Sequence, residues 1–599
     1  MSVLTTIASW KTRHALVAAL AVGFVALAPM ATAADPAKVL RVAFEAADDG
    51  FDMVKTNNSV YSSWVGQAIY ESLLTYDYLA RPAKLVPGAA EAMPEISSDG
   101  KTYLFRIRKG IYFTDDPVFK GQKRELIAAD YAYSIKRLLD PKNRSPQASA
   151  FEGKIVGLDS LVAAAKKSDK FDYDAAVTGL ETPDRYTLRI RLNAPDQTLP
   201  YLLAHTTAGA VAREVIEAYG SDSGRHPVGT GPYVLKEYVA RSKIVLEANP
   251  GYRGYTWDFK SSGEAGDEQI IRDMRGKKMP QIGRVEVSII EEEQSRWLAF
   301  ASGQTDFDRL PDTVAPKVID NGKLKAEYTA KRIGLYRYVS PDVVYTFFNF
   351  KDPVVGGYTN EKIALRRAIH MAYDLDAEIA QVRFGQAVKA QAQVPAGVAG
   401  YDPAYRRSIG YDPDLANKLL DRFGYKAGVD GYRSLPDGKP LTIRISSAAT
   451  SRDQALMEIW KKSLDRIGVR AAFPVSGFAD NLKAASRCEL MMWGLGGTAG
   501  IPDGSDFLEN LYGPNAGQGN ISCYASPKFD DAYRKARQLP DGPQRQLLYT
   551  EMNRQLEADT AVVLHVSRIR NWLMQPWIKG FKKHPILHND WQFIDMEKK

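Results

Sequence analysis

Five segments between residues 441 and 494 set the architecture: LTIRISS (441–447), SRDQALMEIWKKSLDRIG (451–468), VRAAFPV (469–475), FADNLKAASR (478–487) and ELMMWG (489–494). The first longer segment repeats apolar residues at helical spacing, and the short segments have the apolar character of strands. The order predicts strand, helix, strand, helix, strand. Strands separated by helices of this length are typical of α/β lobes with largely parallel sheets.

The rest of the chain continues this organisation. Apolar patterning predicts helices at 60–74 and 125–141 and two consecutive helices at 363–373 and 376–385. Glycine and proline punctuate two apolar runs within 226–254, which predicts a hairpin. At 599 residues the chain is too long for one ordinary core, so we expect two or three lobes.

The N-terminus has the three parts of a secretory signal. Lys11 and Arg13 precede an apolar run at 15–30, and the small-x-small sequence 31–33 follows. We therefore expect cleavage near Ala33 and export, and the alternative is a retained N-terminal anchor. Because no cysteine lies near the cleavage site to carry a lipid, the periplasm is the expected location.

Composition argues against several classes of function. Loss of residues 1–33 removes Lys11 and Arg13, so the net charge falls from +8 to +6, which is mild for this length. No basic stripe is interleaved with aromatic residues, so we expect no nucleic-acid partner. The chain lacks the short motifs of metal, nucleotide and common hydrolase sites, and we expect no cofactor and no catalytic residues.

One apparent nucleotide motif fails its structural test. The run from Gly494 to Ala499 spells G-x-G-x-x-A, but a dinucleotide turn must lead directly into a helix. Here Pro502 and further Gly and Asp residues follow, so no helix can start in the required place. The glycines need another explanation.

The two cysteines of the mature chain, Cys488 and Cys523, bracket this glycine stretch. In an oxidising compartment a disulfide between them would persist. Sequence does not give their geometry, so a disulfide and two buried free thiols both remain open.

Five motifs, in order along the mature chain, resemble one family of transport receptors. They are GAAEAMPEISSDGKTYLFRIRKGIYFTDD (88–116), ELIAADYAYSIKRLLDP (125–141), PVGTGPYVL (227–235), LEANPGY (246–252) and IALRRAIHMAYD (363–374). This series is similar to that of the oligopeptide- and dipeptide-binding family 5 of extracellular solute-binding proteins. Each motif alone is weak, and their order makes the resemblance specific.

The resemblance implies a two-lobed α/β receptor that encloses its ligand by hinge closure and delivers it to an ABC permease in the inner membrane. It also implies a monomer with mixed sheets and flanking helices. By analogy the base lobe takes 34–75, 210–340 and 562–599, an extra subdomain takes 76–209, and the second lobe takes 341–561.

The glycine stretch has a counterpart in this family. GGTAGIPDGSDF, Gly496 to Phe507, resembles the family pattern GWGADYPDPDNF. The resemblance implies that Gly500 replaces an aspartate that pairs with a peptide's α-ammonium group and that Gly497 replaces a tryptophan. We therefore expect a widened pocket wall and a ligand that is not a simple free-amino peptide, because a buried ammonium needs a carboxylate.

Further residues are candidates for this wall, and two alternatives stay open. With Gly496, Gly497 and Gly500, Thr498 is expected to face the ligand. Alternatively, Asp503 or Asp506 supplies the missing charge for a peptide, or the glycines only meet a backbone requirement.

A second candidate group lies before the first helix. The resemblance places a ligand-facing loop at KTNNSVY (55–61), where Asn57, Asn58 and Tyr61 offer amide and phenol groups. Solvent-exposed turn asparagines are the alternative.

The sequence therefore predicts a periplasmic substrate-binding receptor and not an enzyme. A peptide receptor with a displaced anchor is the alternative within the class. An exported hydrolase is the alternative outside it, and a further possibility is a binding subunit that reports to a chemoreceptor.

Overall fold

The structure is a computed structural model that describes residues 34–56 and 59–598. The predicted signal peptide at 1–33 and the candidates Asn57 and Asn58 lie outside the described residues, so those predictions stay predictions.

Seventeen strands form the four larger sheets of the described chain. They are β1 Asp35–Phe44, β2 Glu95–Ile96, β3 Thr102–Arg106, β4 Leu180–Asp184, β5 Thr187–Arg191, β6 Tyr233–Val239, β7 Lys243–Ala248, β8 Ile282–Ile289, β9 Phe307–Arg309, β10 Gly334–Val339, β11 Asp342–Phe348, β12 Ala387–Lys389, β13 Thr442–Ser446, β14 Arg470–Ala472, β15 Met492–Thr498, β16 Val562–Leu564 and β17 Val566–Met574.

The longer helices flank these sheets. They are α1 Val60–Ile69, α2 Ala128–Leu139, α3 Leu158–Ser168, α4 Arg213–Tyr219, α5 Asp267–Met274, α6 Glu293–Ala301, α7 Asn360–Ala372, α8 Pro413–Arg422, α9 Ser451–Asp465, α10 Phe478–Ser486, α11 Pro527–Gln538 and α12 Pro543–Asp559.

The first part of the chain carries two four-stranded sheets. One has the order β1-β8-β7-β6, in which β1 and β8 run parallel and the predicted hairpin forms the antiparallel pair β6-β7. The other is antiparallel, with the order β2-β3-β5-β4. Helix α1 packs on the first sheet because its buried Trp64, Val65 and Ala68 meet the apolar side chains of β1.

A mixed five-stranded sheet, β14-β13-β15-β11-β16, organises the later part of the chain. β13 is parallel to β14 and β15, whereas β11 is antiparallel to both its neighbours. We call the part built on this sheet the second lobe and the rest the first lobe. The predicted segment boundaries themselves stay predictions.

Two adjacent strand passages connect the lobes. β10 leads directly into β11, and β16 leads directly into β17. β10 and β17 pair antiparallel in a sheet of the first lobe, and β11 pairs with β16 in the second. The two passages therefore lie side by side, as a hinge requires.

The structure departs from two local expectations. The strand predicted to end at Gly494 continues to Thr498, because β11 offers an unbroken partner from Phe348 to Asp342. The helix predicted over 376–385 forms, but its α-helical turn Leu375–Ala377 continues as a π-helical turn, Glu378–Val382, and it ends before Gly385. Glu378 within it is buried and is held by Arg383 and His565.

Cys488 and Cys523 are joined by a disulfide, with their Cα atoms 6.2 Å apart. The bond links the chain just after α10 to the loop before α11, and the two cysteines are 35 residues apart in sequence. Because β15 lies within this interval, the disulfide closes a covalent loop that contains the glycine strand.

Replacing both Cys488 and Cys523 with alanine should lower the free energy of unfolding by about 2–4 kcal/mol, because the unfolded chain loses a loop constraint. Urea unfolding followed by circular dichroism measures the change. Two alkylatable thiols in periplasmic wild-type protein, or an unchanged unfolding curve in the variant, would contradict the assignment.

Candidate ligand-binding cleft

The glycine strand β15 presents a free edge over its last residues. β13 pairs with it only at Met492 and Trp493, whereas β11 accompanies it to Thr498. The Ala499 N–H donates to the Pro341 carbonyl at 2.9 Å, which fixes the alternation of antiparallel hydrogen bonds. The backbone N–H and C=O groups of residues 496 and 498 therefore point away from β11.

These glycines are not required by the backbone. Gly494, Gly496, Gly497 and Gly500 have φ angles outside the left-handed region, so the alternative of a purely conformational requirement is wrong. A Cβ on Gly497 would meet only the Phe507 ring edge, at 4.0 Å. The missing side chain therefore leaves open space.

That space belongs to a cavity of about 300 Å³ between the lobes, which we call the cleft cavity. The second lobe contributes Gly497, Thr498, Gly500 and Asp506 to its wall, and the first lobe contributes the segments 147–154 and 198–207. Gly496 points to the opposite face, where it lines a second cavity of about 230 Å³.

The Asp506 carboxylate lies beside the position where Gly500 lacks a side chain. A Cβ on Gly500 would lie 3.6 Å from Asp506 Oδ2 and 3.9 Å from Oδ1, and the Gly500 N–H donates to Oδ2 at 2.8 Å. The half-buried carboxylate thus stands next to the free edge of β15 and within the wall of the cleft cavity.

Asp506 has no ion-pair partner among the described residues, since the two cations that line the same cavity, Lys154 and Arg537, pair with Asp196. Burial raises the pKa of Asp506 to about 7, and the negative charges of Glu509 and Asp503 act in the same direction. Within the described residues Asp506 forms no ion pair, and its hydrogen-bond donors are backbone amides of Gly500 and Ile501. A cation placed in the cavity would favour the ionised carboxylate.

Asp503 does not face the cavity, so the expectation that it contacts ligand is wrong. Its side chain is fully buried and accepts a bidentate pair from Arg545 at 2.6 and 3.0 Å. The Tyr549 hydroxyl and the Ser505 N–H donate to Oδ1. Asp503 therefore anchors the loop to α12.

A group of arginines lies on the other side of β15. Arg568 Nη2 donates to Thr498 Oγ1 at 3.2 Å, and Arg570 follows on the same face of β17 because side chains alternate along a strand. Arg309 stands opposite Trp572, two residues further along that face. We call Arg309, Arg568 and Arg570 the arginine cluster.

The arginine cluster has incomplete charge compensation. Asp342 binds Arg568 Nε at 2.7 Å but lies 4.0 Å from Arg570. Burial, together with the positive charges of Arg309 and Arg568, lowers the pKa of Arg570 to about 10. An anionic ligand group near Arg570 would relieve this repulsion.

Tyr61 lies beside the arginine cluster rather than in the cleft cavity. Its ring is 5.0 Å from Phe44, and burial, with Glu45, raises the pKa of Tyr61 to about 12. Arg309 pairs with the same Glu45. Tyr61 therefore belongs to the first-lobe wall near the hinge.

An ion-pair network joins the two lobes. Arg537 of the second lobe and Lys154 of the first lobe both bind the buried Asp196 carboxylate, and Lys154 does so at 2.9 Å. The Gln197 N–H also donates to the Arg537 carbonyl, at 3.2 Å. Although burial opposes it, these two cations lower the pKa of Asp196. We call this network the interlobe latch.

Sequence comparison identifies the family to which these features belong. The model described as "Bacterial extracellular solute-binding proteins, family 5 Middle" matches residues 84–519, more than half of the chain. The chain belongs to this family. The resemblance stated from the five motifs is thereby confirmed.

Relatives and solved structures extend the match along the chain. The oligopeptide-binding protein OppA of Escherichia coli is 25% identical over 562 residues, covering 88% of this chain and 87% of OppA. Heme-binding protein A of Haemophilus influenzae is 25% identical over 543 residues, covering 89% and 88%.

The fold matches that of known two-lobed periplasmic binding proteins, as predicted. DppA from Helicobacter pylori, solved with the peptide STSA, superposes with a TM-score of 0.71 at 21% identity, covering 94% of this chain and 99% of DppA. In the described part of this family member, no helix is long and apolar enough to cross a membrane.

Sequence reasoning missed the arginine cluster and the interlobe latch. The arginine cluster could have been predicted in part, because Arg568 and Arg570 are two residues apart within a run of strand residues, 566–574. No such signal was present for Asp196 and Arg537, which are 341 residues apart.

Asp196→Asn should favour a more open protein, because it leaves Lys154 and Arg537 facing each other without the shared carboxylate. Small-angle X-ray scattering should report a larger radius of gyration than for wild type. Asp531→Asn, which breaks an ion pair within α11, is the matched control and should leave the radius unchanged. Equal radii for Asp196→Asn and wild type would contradict the latch.

Proposed function

We propose that this protein is the periplasmic substrate-binding component of an ABC importer and that its ligand is a peptide-like zwitterion with a free amino group. It acts as a receptor, encloses the ligand between its lobes and delivers it to the permease. The observation that carries the proposal is the Asp506 carboxylate, which forms no ion pair with the described residues and lies beside the place where Gly500 lacks a side chain.

Charge complementarity defines the amino end of the ligand. A ligand ammonium beside Asp506 would form a charge-assisted hydrogen bond in a half-buried site. It would also stabilise the ionised carboxylate, whose pKa stands near 7 in the free protein. This differs from the sequence expectation of a ligand without a free amino group, because the carboxylate lost at position 500 is supplied from position 506.

The arginine cluster defines the acidic end. Arg570 is half-buried and forms no hydrogen bond with the described residues, and its nearest acid, Asp342, is already engaged by Arg568. A ligand carboxylate beside Arg570 would offset the repulsion between the positive charges of Arg570 and Arg568. Arginine is well suited to this role because its planar guanidinium binds carboxylate bidentately.

The free edge of β15 lies between these charged groups. The unpaired backbone groups of Gly496 and Thr498 suit an extended ligand backbone, which would add one strand to the sheet. Glycine at 497 keeps one face of that strand open, whereas on the other face a Cβ on Gly496 would contact Val344 at 3.4 Å and Arg568 at 3.8 Å. Names of relatives agree with such a ligand, since OppA is an oligopeptide-binding protein and DppA was solved with a peptide.

One buried network resembles hydrolase geometry, and its burial supports a structural role instead. Thr346 Oγ1 lies 3.0 Å from His565 Nε2, and His565 Nδ1 lies 2.6 Å from Glu378. However, Arg383 and Tyr373 also bind Glu378, and Thr346 is only 1% exposed. The network lines the same cavity of about 230 Å³ as Gly496, but its carboxylate is already shared with Arg383 and Tyr373, so we assign the network to packing of the second lobe.

Asp506→Asn should weaken binding of tri-alanine at least tenfold, because the ligand ammonium loses its carboxylate. Gly500→Asp in the Asp506→Asn background should restore much of the affinity, since it returns a carboxylate to nearly the same place. Isothermal titration calorimetry measures both. N-acetylated tri-alanine is the control ligand and should bind wild type poorly. Equal binding of the acetylated peptide would overturn the anchor.

Affinity for tri-alanine should depend on pH through Asp506. The ligand needs the ionised carboxylate, so affinity should rise between pH 5.5 and 7 and level off above the pKa of about 7. Above pH 8 it should fall again, because the ligand amine loses its proton near 8. Calorimetric titrations across this range test the profile, and Asp506→Asn should lose the acidic limb. An acidic limb that persists in the variant would contradict the assignment.

A further inference from the structure

A further cavity lies outside the second lobe. It has a volume of about 580 Å³ and is lined by residues of 67–108, 204–259 and 587–593, all in the first lobe. Ligand pockets commonly occupy 300–1,000 Å³. We call it the first-lobe cavity.

Hydrogen bonds between the segments 255–257 and 592–593 fix one wall of this cavity. The Tyr255 hydroxyl donates to the Gln592 carbonyl at 2.8 Å, and Trp257 Nε1 donates to the Phe593 carbonyl at 3.0 Å. Trp257 is fully buried. The wall is therefore held in place without a ligand, as in most small-molecule sites.

The interior of the first-lobe cavity is electrically neutral. Glu71 and Arg253 line it, but they bind each other through two contacts of 2.9 and 2.7 Å. The other charged lining residues, Arg108 and Asp258, are solvent-exposed at the mouth. A charged ligand would lose hydration without gaining a partner, so the cavity suits an uncharged one.

Aromatic rings line part of the first-lobe cavity. The lining includes Tyr76, Tyr252, Tyr255, Phe259 and Phe593. The ring centroids of Tyr78, Phe259 and Tyr255 all lie within 6.2 Å of the ring centroid of Phe593, so the rings form one packed cluster. Ring faces of this kind stack on flat or ring-shaped ligands.

Neutral hydrogen-bonding groups in the same cavity need partners. Thr206 is only 3% exposed, and its Oγ1 has no hydrogen-bond partner among the described residues. Gln67 uses its Oε1 for the N–H groups of His588 and Asn589, which leaves its amide N–H donors for a ligand. Purely apolar ligands would leave Thr206 unsatisfied, whereas hydroxyl or amide substituents would pair with it.

From these observations we propose that the first-lobe cavity is a second ligand site, separate from the cleft, for an uncharged saccharide ring bearing hydroxyl or amide groups. The rings stack on the sugar face, and Thr206 and Gln67 bond its substituents. This proposal does not depend on the ligand of the cleft.

The test uses N,N′-diacetylchitobiose as the probe and saturation-transfer-difference NMR as the measurement, with indole as the apolar comparison. Val86→Trp places a large ring in the cavity from its half-buried position in the lining, and it should weaken binding at least tenfold. Thr206→Val removes only the hydroxyl and should weaken it about fivefold, the equivalent of one hydrogen bond. Circular dichroism verifies that both variants are folded.

Asp506→Asn separates the two sites, because it should weaken tri-alanine binding in the cleft at least tenfold and leave chitobiose binding unchanged. Chitobiose binding to wild type that is lost in Val86→Trp and reduced in Thr206→Val would support the proposal. Absence of binding to wild type, equal binding to wild type and both variants, or binding of indole in preference to chitobiose would overturn it.

Discussion

The buried pair of Asp342 and Arg568 is the interaction on which the arrangement of the lobes depends. Asp342 is fully buried and accepts from both the backbone N–H and the Nε of Arg568, at 2.8 and 2.7 Å. It joins the start of β11 to β17, the two strands that pass between lobes. Removing one partner of such a pair typically costs about 3–5 kcal/mol, because the other charge is left buried. Arg568 also reaches Thr498 on the glycine strand, so the hinge and the ligand wall share one side chain.

This sharing explains why the charged groups of the cleft are spread over distant parts of the chain. Asp506 belongs to the loop after β15, whereas Arg570 lies on the hinge strand β17 and Arg309 on β9. Under the proposed function, a ligand that contacts both ends would draw the second-lobe wall toward the first lobe, as in hinge closure. Asp196, bound by Lys154 and Arg537, holds the same two lobes together at the rim of the cavity.

Local patterns in the sequence predicted most elements, and long-range contacts decided the rest. The α/β alternation between 441 and 494 and the hairpin β6-β7 follow from apolar periodicity and turn residues. The extension of β15 through its glycines does not, since glycine disfavours strands and the partner that stabilises it is β11, about 150 residues earlier. The sequence also could not show which of Asp503 and Asp506 faces the cavity. Asp503 is buried because it pairs with Arg545, whereas Asp506 lines the cavity.

We propose that the cleft selects a ligand with a free amino group through Asp506. Native mass spectrometry of protein purified mildly from a periplasm tests it most directly, because closed receptors of this kind retain their ligands. If Asp506 binds a ligand ammonium, the protein should carry added masses that fragment as peptide-like molecules and shift on amine-specific labelling after release. A single retained compound without an amino group would contradict the claim and would restore the expectation that the glycines mark a different class of ligand.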